Sequence, residues 1–264
     1  MCGIAGYSLA RSSRLDRTLA AQALLASIAE RGADAVGYAH RAEHDRIVVH
    51  KQRSGASALL DQISIPQDAT EVLVHVRDYT KGHPTVPANN HPIRHGAVVG
   101  IHNGIIVNDD ELLADHDCAR AEPGMIVDSE AIFALAAHSK ADPRALEALR
   151  GSMATAWLDE REPSSLYLAR GVGRPLWLGR GREGTFFAST RLALEVAERF
   201  LRLKLHKTEL DEGTFVALEH GAIADKERFR PDEAFEEEPL PAVRAPKEGA
   251  FCLSRLATLV AAAN

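Results

Sequence analysis

Short apolar runs rich in β-branched residues constrain this chain more than any other feature. Val72-Leu73-Val74-His75-Val76 and Ala97-Val98-Val99-Gly100-Ile101 read as core strands. Ile4-Ala5-Gly6-Tyr7 starts a further buried strand, and residues 36–39 and 47–50 read as a strand pair. Between these runs, residues 15–30 carry the apolar spacing of an amphipathic helix, which Gly32 stops. Residues 127–138 and 143–149 also read as helices. Asn108 reads as a helix N-cap, with Glu111 three residues on to complete a capping box. The second half is denser in strands, at 153–158, 166–169, 176–178, 186–188 and 214–218, with a helix at 192–200 between them. Helices among the early strands, followed by a run of strands, predict two sheets with helices outside them.

Composition narrows the function classes. The chain has 264 residues, 45% of them hydrophobic and 26% charged, as in an ordinary globular protein. Its formal net charge is −6, from 31 basic and 37 acidic residues, which argues against a nucleic-acid binder. No apolar run approaches the roughly 20 residues that cross a bilayer, so no membrane partner is expected. The N-terminus lacks the pattern of a secretory signal. Cys2, Cys118 and Cys252 are an odd, widely spaced set that suggests neither a disulfide framework nor a zinc knuckle. A reducing, cytoplasmic setting is the expectation. His83, His91, His95 and His102 fit no zinc spacing, so no metal is expected. Gly171-Val172-Gly173 and Gly179-Arg180-Gly181 read as hairpin turns. Glu236-Glu237-Glu238-Pro239, with Pro241 behind it, reads as a linker or mobile arm. Residues 250–263 are apolar enough for a short helix.

Five places hold residues suited to an amide-cleaving site. Cys2 follows Met1 directly. Without Met1 it carries a free α-amine, which titrates at about 7.7–8.0, beside a thiol that titrates near 8.5. One residue then supplies nucleophile and base; otherwise Cys2 is a small residue beside a start codon. Asn103-Gly104 closes an apolar run. It reads either as a turn or as an oxyanion hole made of an amide side chain and the next backbone N–H. Arg77 is suited to a carboxylate, or to a surface ion pair with Asp78. Asp128 is suited to an ammonium group, or to a helix N-cap. Arg31-Gly32-Ala33-Asp34 either orders a loop over a site or forms a tight turn.

Together the blocks resemble the class II glutamine amidotransferases, and most closely the glutaminase domain of the glucosamine-6-phosphate synthase type. The residues that carry the likeness are Cys2-Gly3-Ile4, Arg31-Gly32-Ala33-Asp34-Ala35-Val36-Gly37, His75 through Gly82, Asn89-Asn90-His91-Pro92, His102 through Asn108, and Val127-Asp128-Ser129-Glu130. They stand in family order and cover the first half of the chain.

The resemblance implies an α+β fold, a four-layer αββα sandwich of the N-terminal-nucleophile hydrolase type. It implies a glutaminase domain over residues 1–230, leaving 231–264 as acidic linker and apolar tail. Cys2 would be the nucleophile after loss of Met1, with its α-amine as base. Asn103 and Gly104 would form the oxyanion hole. Arg77 would hold the α-carboxylate of glutamine and Asp128 its α-ammonium, with Thr80 and His91 lining the pocket. No cofactor is implied. Three residues depart from the family pattern: Asp78 stands for Trp, Lys81 for His and Ala35 for Ser. The sugar-isomerase region of the synthase has no counterpart here. The expected activity is therefore glutamine hydrolysis, with ammonia passed to an acceptor on a partner. The altered loop residues leave two alternatives, a hydrolase of another γ-glutamyl amide and a catalytically weak regulatory subunit. The tail is expected to dock onto that partner or onto a second copy of the chain.

Overall fold

Residues 2–237 and 241–262 are described by a computed structural model. Met1, and Glu238 and Pro239 of the acidic stretch, lie outside the described residues. In chain order the elements are β1 (Gly3–Leu9), α1 (Arg17–Ile28), β2 (Ala35–Arg41), β3 (Ile47–Gln52), α2 (Ala56–Leu60), β4 (Glu71–Arg77), β5 (Ile93–His95), β6 (Val98–Ile106), α3 (Asp109–Asp115) and α4 (Glu130–Ser139). There follow β7 (Gly151–Asp159), β8 (Ser165–Arg170), β9 (Trp177–Gly181), β10 (Gly184–Ala188), α5 (Arg191–Leu201), β11 (His206–Glu209), β12 (Thr214–Glu219), β13 (Ala222–Arg228) and α6 (Pro246–Ala262). One sheet runs β11-β9-β10-β1-β4-β2-β3 and the other β13-β12-β8-β7-β6-β5. Their strand pairings are antiparallel.

Strand alternation builds three apolar layers. Ile4, Leu73, Val99, Ile101 and Phe187 meet between the sheets. Ala5, Tyr7, Val72, Val74 and Phe186, their neighbours along the strands, face outward under α1 and α5. Val98 and Ile106 face outward from the second sheet, under Ile132, Phe133 and Leu135 of α4. Opposite faces of one strand thus feed two different cores. The result is helices, sheet, sheet, helices: the expected αββα sandwich.

The C-terminal segment corrects an expectation. α6 packs on α1 and α2 of its own chain, and Cys252 and Leu256 are fully buried in the same core as Leu24 and Leu25. Burial of a side chain such as Leu256 stabilises by roughly 1.5–3 kcal/mol. Gly249 permits the approach, since a Cβ there would stand 2.7 Å from that of Glu30. Glu248 accepts a hydrogen bond from the Ser57 amide at 2.6 Å, satisfying a free N–H at the start of α2. α1 is consequently buried on most sides, with Ala20, Ala21, Ala23, Leu24 and Ala26 all inside, and is not the amphipathic helix its spacing suggested.

Other elements also differ. β6 does not end at Asn103-Gly104 but continues to Ile106. The Asn108 side chain makes no capping bond to α3; it instead joins Ala148 O and Arg150 N, at 3.0 and 2.9 Å. Residues Pro143–Ala148 form a 3-10 turn. Gly179 and Gly181 lie inside β9 and are not a turn.

Candidate active site

The register of the first sheet sets two side chains side by side. β1 and β4 pair Ile4 with His75 and Gly3 with Val76, so the next step of the ladder sets Cys2 against Arg77. Cys2 and Ile4 share a face, as do Leu73, His75 and Arg77, and that face looks into the space between the sheets. Asn103 has the parity of Val99 and Ile101 on β6, so it faces the same space from the other sheet. A hydrogen bond from His75 Nε2 to the His102 carbonyl, 3.1 Å long, ties the two sheets together beside it.

Cys2, Arg77, Thr80, His91, Gly104 and Asp128 line one narrow pocket, with Asp78, Tyr79, Lys81, His102, Val127 and Ser129. Its interior has room for about one water molecule. Asn103 stands behind Gly104, fully buried, and both ends of its amide lack a partner among the described residues. A buried amide without partners costs free energy. Gly104 has φ +148, and a Cβ there would stand 1.9 Å from the Ser152 carbonyl, so no larger residue fits. A larger polar cleft elsewhere contains Arg41, but that guanidinium is taken up by Glu71 and by the carbonyls of Asp45, Asp159, Glu162 and Ser165.

Cys2 is half-buried. Its thiol donates to the Asp78 carbonyl at 3.5 Å, and burial pushes its pKa up. Arg31 Nε donates to the Cys2 carbonyl at 2.9 Å and so fixes the start of β1. Arg77 is buried. Its fork donates to Asn90 Oδ1 at 2.7 Å and to the carbonyls of Lys81 and Gly82, at 2.8 and 2.5 Å. Arg77 therefore also shapes the loop over the pocket. Asp128 does not cap α4; its carboxylate accepts from the Ile106 amide at 2.7 Å, and burial raises its pKa to about 6.

The loop carries two of the three departures from the resembled pattern, Asp78 and Lys81, and both are ion-paired. Lys81 Nζ lies 2.7 Å from Asp109 Oδ1 and 3.1 Å from Asp110 Oδ2. Arg120 holds the same two carboxylates, with Glu130 as a third. Asp78 Oδ2 accepts from Arg244 Nε at 3.0 Å, and Asp34 Oδ2 from the Tyr79 amide at 2.9 Å. The Arg31–Asp34 stretch thus borders the loop, and Gly32 brings its backbone against Arg77. Among the described residues no three His, Cys, Asp or Glu side chains are arranged to hold a metal ion, and no helix is long and apolar enough to cross a membrane.

Three features of the site escape sequence reasoning. His102 lines the pocket, and its ring nitrogens meet Ser129 Oγ at 2.9 Å and the Ser152 carbonyl at 3.3 Å. His75 stacks on His91. Glu237 reaches Ser152 Oγ at 2.7 Å and pairs with Arg174. The position of His102 beside Asn103 was a usable signal; the partners of Glu237 had none.

Residues 80–196 match the model of a glutamine amidotransferase domain. That stretch contains Thr80, His91, Asn103, Gly104 and Asp128, and begins after Cys2 and Arg77. Among solved structures, the chain is similar to glutamine phosphoribosylpyrophosphate (PRPP) amidotransferase from B. subtilis complexed with ADP and GMP. The TM-score is 0.67 at 16% identity, over 86% of this chain and 49% of that one. It is equally similar to a structure described as the allosteric regulatory enzyme of purine biosynthesis, with a TM-score of 0.67 at 18% identity and the same coverages. This chain spans about half the length of either structure. No curated protein matches it. The two sheets and flanking helices therefore have the same fold as about half of each of these two structures.

Proposed function

We propose that the chain is a class II glutamine amidotransferase that hydrolyses the side-chain amide of glutamine to glutamate and ammonia through a thioester at Cys2. The observation that carries this reading is the buried amide of Asn103, without a partner among the described residues, beside Gly104, which lines a pocket that also holds a thiol, an arginine and a carboxylate. Loss of Met1 frees the α-amine of Cys2, which takes the thiol proton. The sulfur attacks the amide carbon. The oxyanion that forms is bound by Asn103 Nδ2 and the Gly104 N–H, replacing the bonds that the Asn103 amide lacks at rest. The ammonium returns the proton to the leaving nitrogen, ammonia departs, and water cleaves the thioester.

Arg77 and Asp128 bind opposite ends of the amino-acid head, the carboxylate and the ammonium. Thr80 and His91 line the space between. The narrowness of the pocket supports a loop, residues 78–82, that opens to admit substrate and closes over it. The order and wording of the motif blocks favour the synthase-type glutaminase as the nearest pattern. The glutaminase unit then comprises residues 1–230, with 231–264 as its covering segment, and the ammonia acceptor belongs to a partner. The exchange of Trp and His for the ion-paired Asp78 and Lys81 favours a second substrate set, larger γ-glutamyl amides.

Intact-mass measurement together with glutamate release from glutamine and from a panel of γ-glutamyl amides tests the reading. The expected result is a protein without Met1 that consumes glutamine and is silenced by Cys2→Ala. A fully active protein that retains Met1, or one unaffected by Cys2→Ala, would overturn it.

A further inference from the structure

Asp78 faces two ways. Its backbone carbonyl takes the Cys2 thiol at 3.5 Å, and its carboxylate takes Arg244 Nε at 3.0 Å. Arg244 comes from the segment between β13 and α6, far from the catalytic blocks in sequence. It is presented from a fixed point: its own amide and that of Ala245 donate to the Glu30 carbonyl at 2.9 and 2.8 Å. One residue after Glu30, Arg31 holds the Cys2 carbonyl. α6 then anchors the segment in the core through Cys252 and Leu256. Upstream, Glu237 is fastened to Ser152, whose carbonyl lies against His102 and whose hydroxyl meets the Ile105 amide. The segment is therefore tied one residue away from the thiol and one residue away from the oxyanion strand.

We propose that Arg244 is a positioning residue for the Cys2 nucleophile: by holding the Asp78 carboxylate it keeps the Asp78 carbonyl on the thiol and the loop closed over the pocket. This rests on the proposed glutaminase reading for its catalytic consequence, and on geometry alone for its effect on the thiol. The C-terminal segment then supplies to the loop, within one chain, the order that a docked partner would otherwise supply. The pair is partly exposed, with side chains 41% and 20% accessible for Arg244 and Asp78, so its effect is modest and weakened by salt.

The test is the rate at which iodoacetamide alkylates Cys2 in the full chain, read by peptide mass spectrometry, with Cys118 as the internal reference. Arg244→Ala is expected to speed Cys2 alkylation roughly two- to fivefold while lowering kcat/KM for glutamine by a similar factor. Arg244→Lys is expected to recover most of both. Arg255→Ala removes a different ion pair of the same segment, with Asp61, and is expected to change neither. Unchanged alkylation in Arg244→Ala overturns the proposal. So does an equal effect of Arg255→Ala, which would make Arg244 a docking residue only. If alkylation responds as expected but no γ-glutamyl amide is consumed, the positioning stands and the glutaminase reading fails.

Discussion

The imidazole rings of His75 and His91 stack with centroids 4.2 Å apart, and burial holds both in the neutral form. The pKa of His75 falls to about 3, as does that of His102 beneath the pocket. In the unfolded chain all three titrate near 6.5, so between that pH and about 3 the unfolded state binds more protons. Stability is thus fully present above pH 6.5 and declines on acidification, by up to about 1.4 kcal/mol per pH unit for each histidine. Asp128 acts in the opposite sense, because its folded-state pKa is raised to about 6, but it is one group against three. Urea midpoints measured from pH 7 to pH 4 should fall steeply below 6. A flat profile would show that these rings reach solvent.

In its proposed role Asp128 must be ionised to attract an ammonium group, and burial sets that ionisation at about pH 6. The kcat/KM for glutamine, which reports the free enzyme, should therefore rise through about pH 6. Asp128→Asn should remove this limb, leave any higher one due to the Cys2 amine, and lower kcat/KM roughly 30-fold or more. A limb that persists in the Asn variant belongs to another group.

Asn103→Ala should lower kcat by roughly 10²–10³. The resting Asn103 amide makes no hydrogen bond among the described residues, so the melting temperature should change little. Gly104→Ala should behave differently, since its Cβ meets the Ser152 backbone. It should lose both activity and thermal stability. Equal thermal losses in the two variants would mean that Asn103 is structural.

Arg77→Lys keeps a charge but cannot span Asn90 Oδ1 and the carbonyls of Lys81 and Gly82 at once. Two roles fail together, the proposed grip on a carboxylate and the shape of the loop. The KM for glutamine should rise by at least roughly tenfold, the usual scale for a lost charged hydrogen bond, while the circular dichroism spectrum stays intact. An unfolded variant would make Arg77 a core residue first.

Much of the fold was legible because buried strands announce themselves. Val72-Leu73-Val74-His75-Val76 and the strands near 155, 167 and 187 stand in the structure where their apolar runs placed them. β13 was invisible, since Ala222–Arg228 is an exposed edge whose charges carry no alternation. The motif blocks brought Cys2, Arg77, Gly104 and Asp128 to one pocket, because each block supplies a strand end or the start of a helix at the same end of the sandwich. What joins them was not legible. The Asp78–Arg244 and Glu237–Ser152 contacts link segments that share no local pattern. The docking of α6 was misread for a related reason: an apolar tail gives no sign of which surface it covers.

β1 lies between β4 and β10, and Ala5 pairs with Ala188. During synthesis the first strand has no second neighbour until residue 188 has emerged. At roughly 5–20 residues per second, that leaves the N-terminus open for about 10–40 s. On the proposed mechanism an aminopeptidase has to take Met1 from Cys2, and this interval is one in which it can work. On that mechanism the strand order sets the time at which the proposed Cys2 nucleophile can be unmasked.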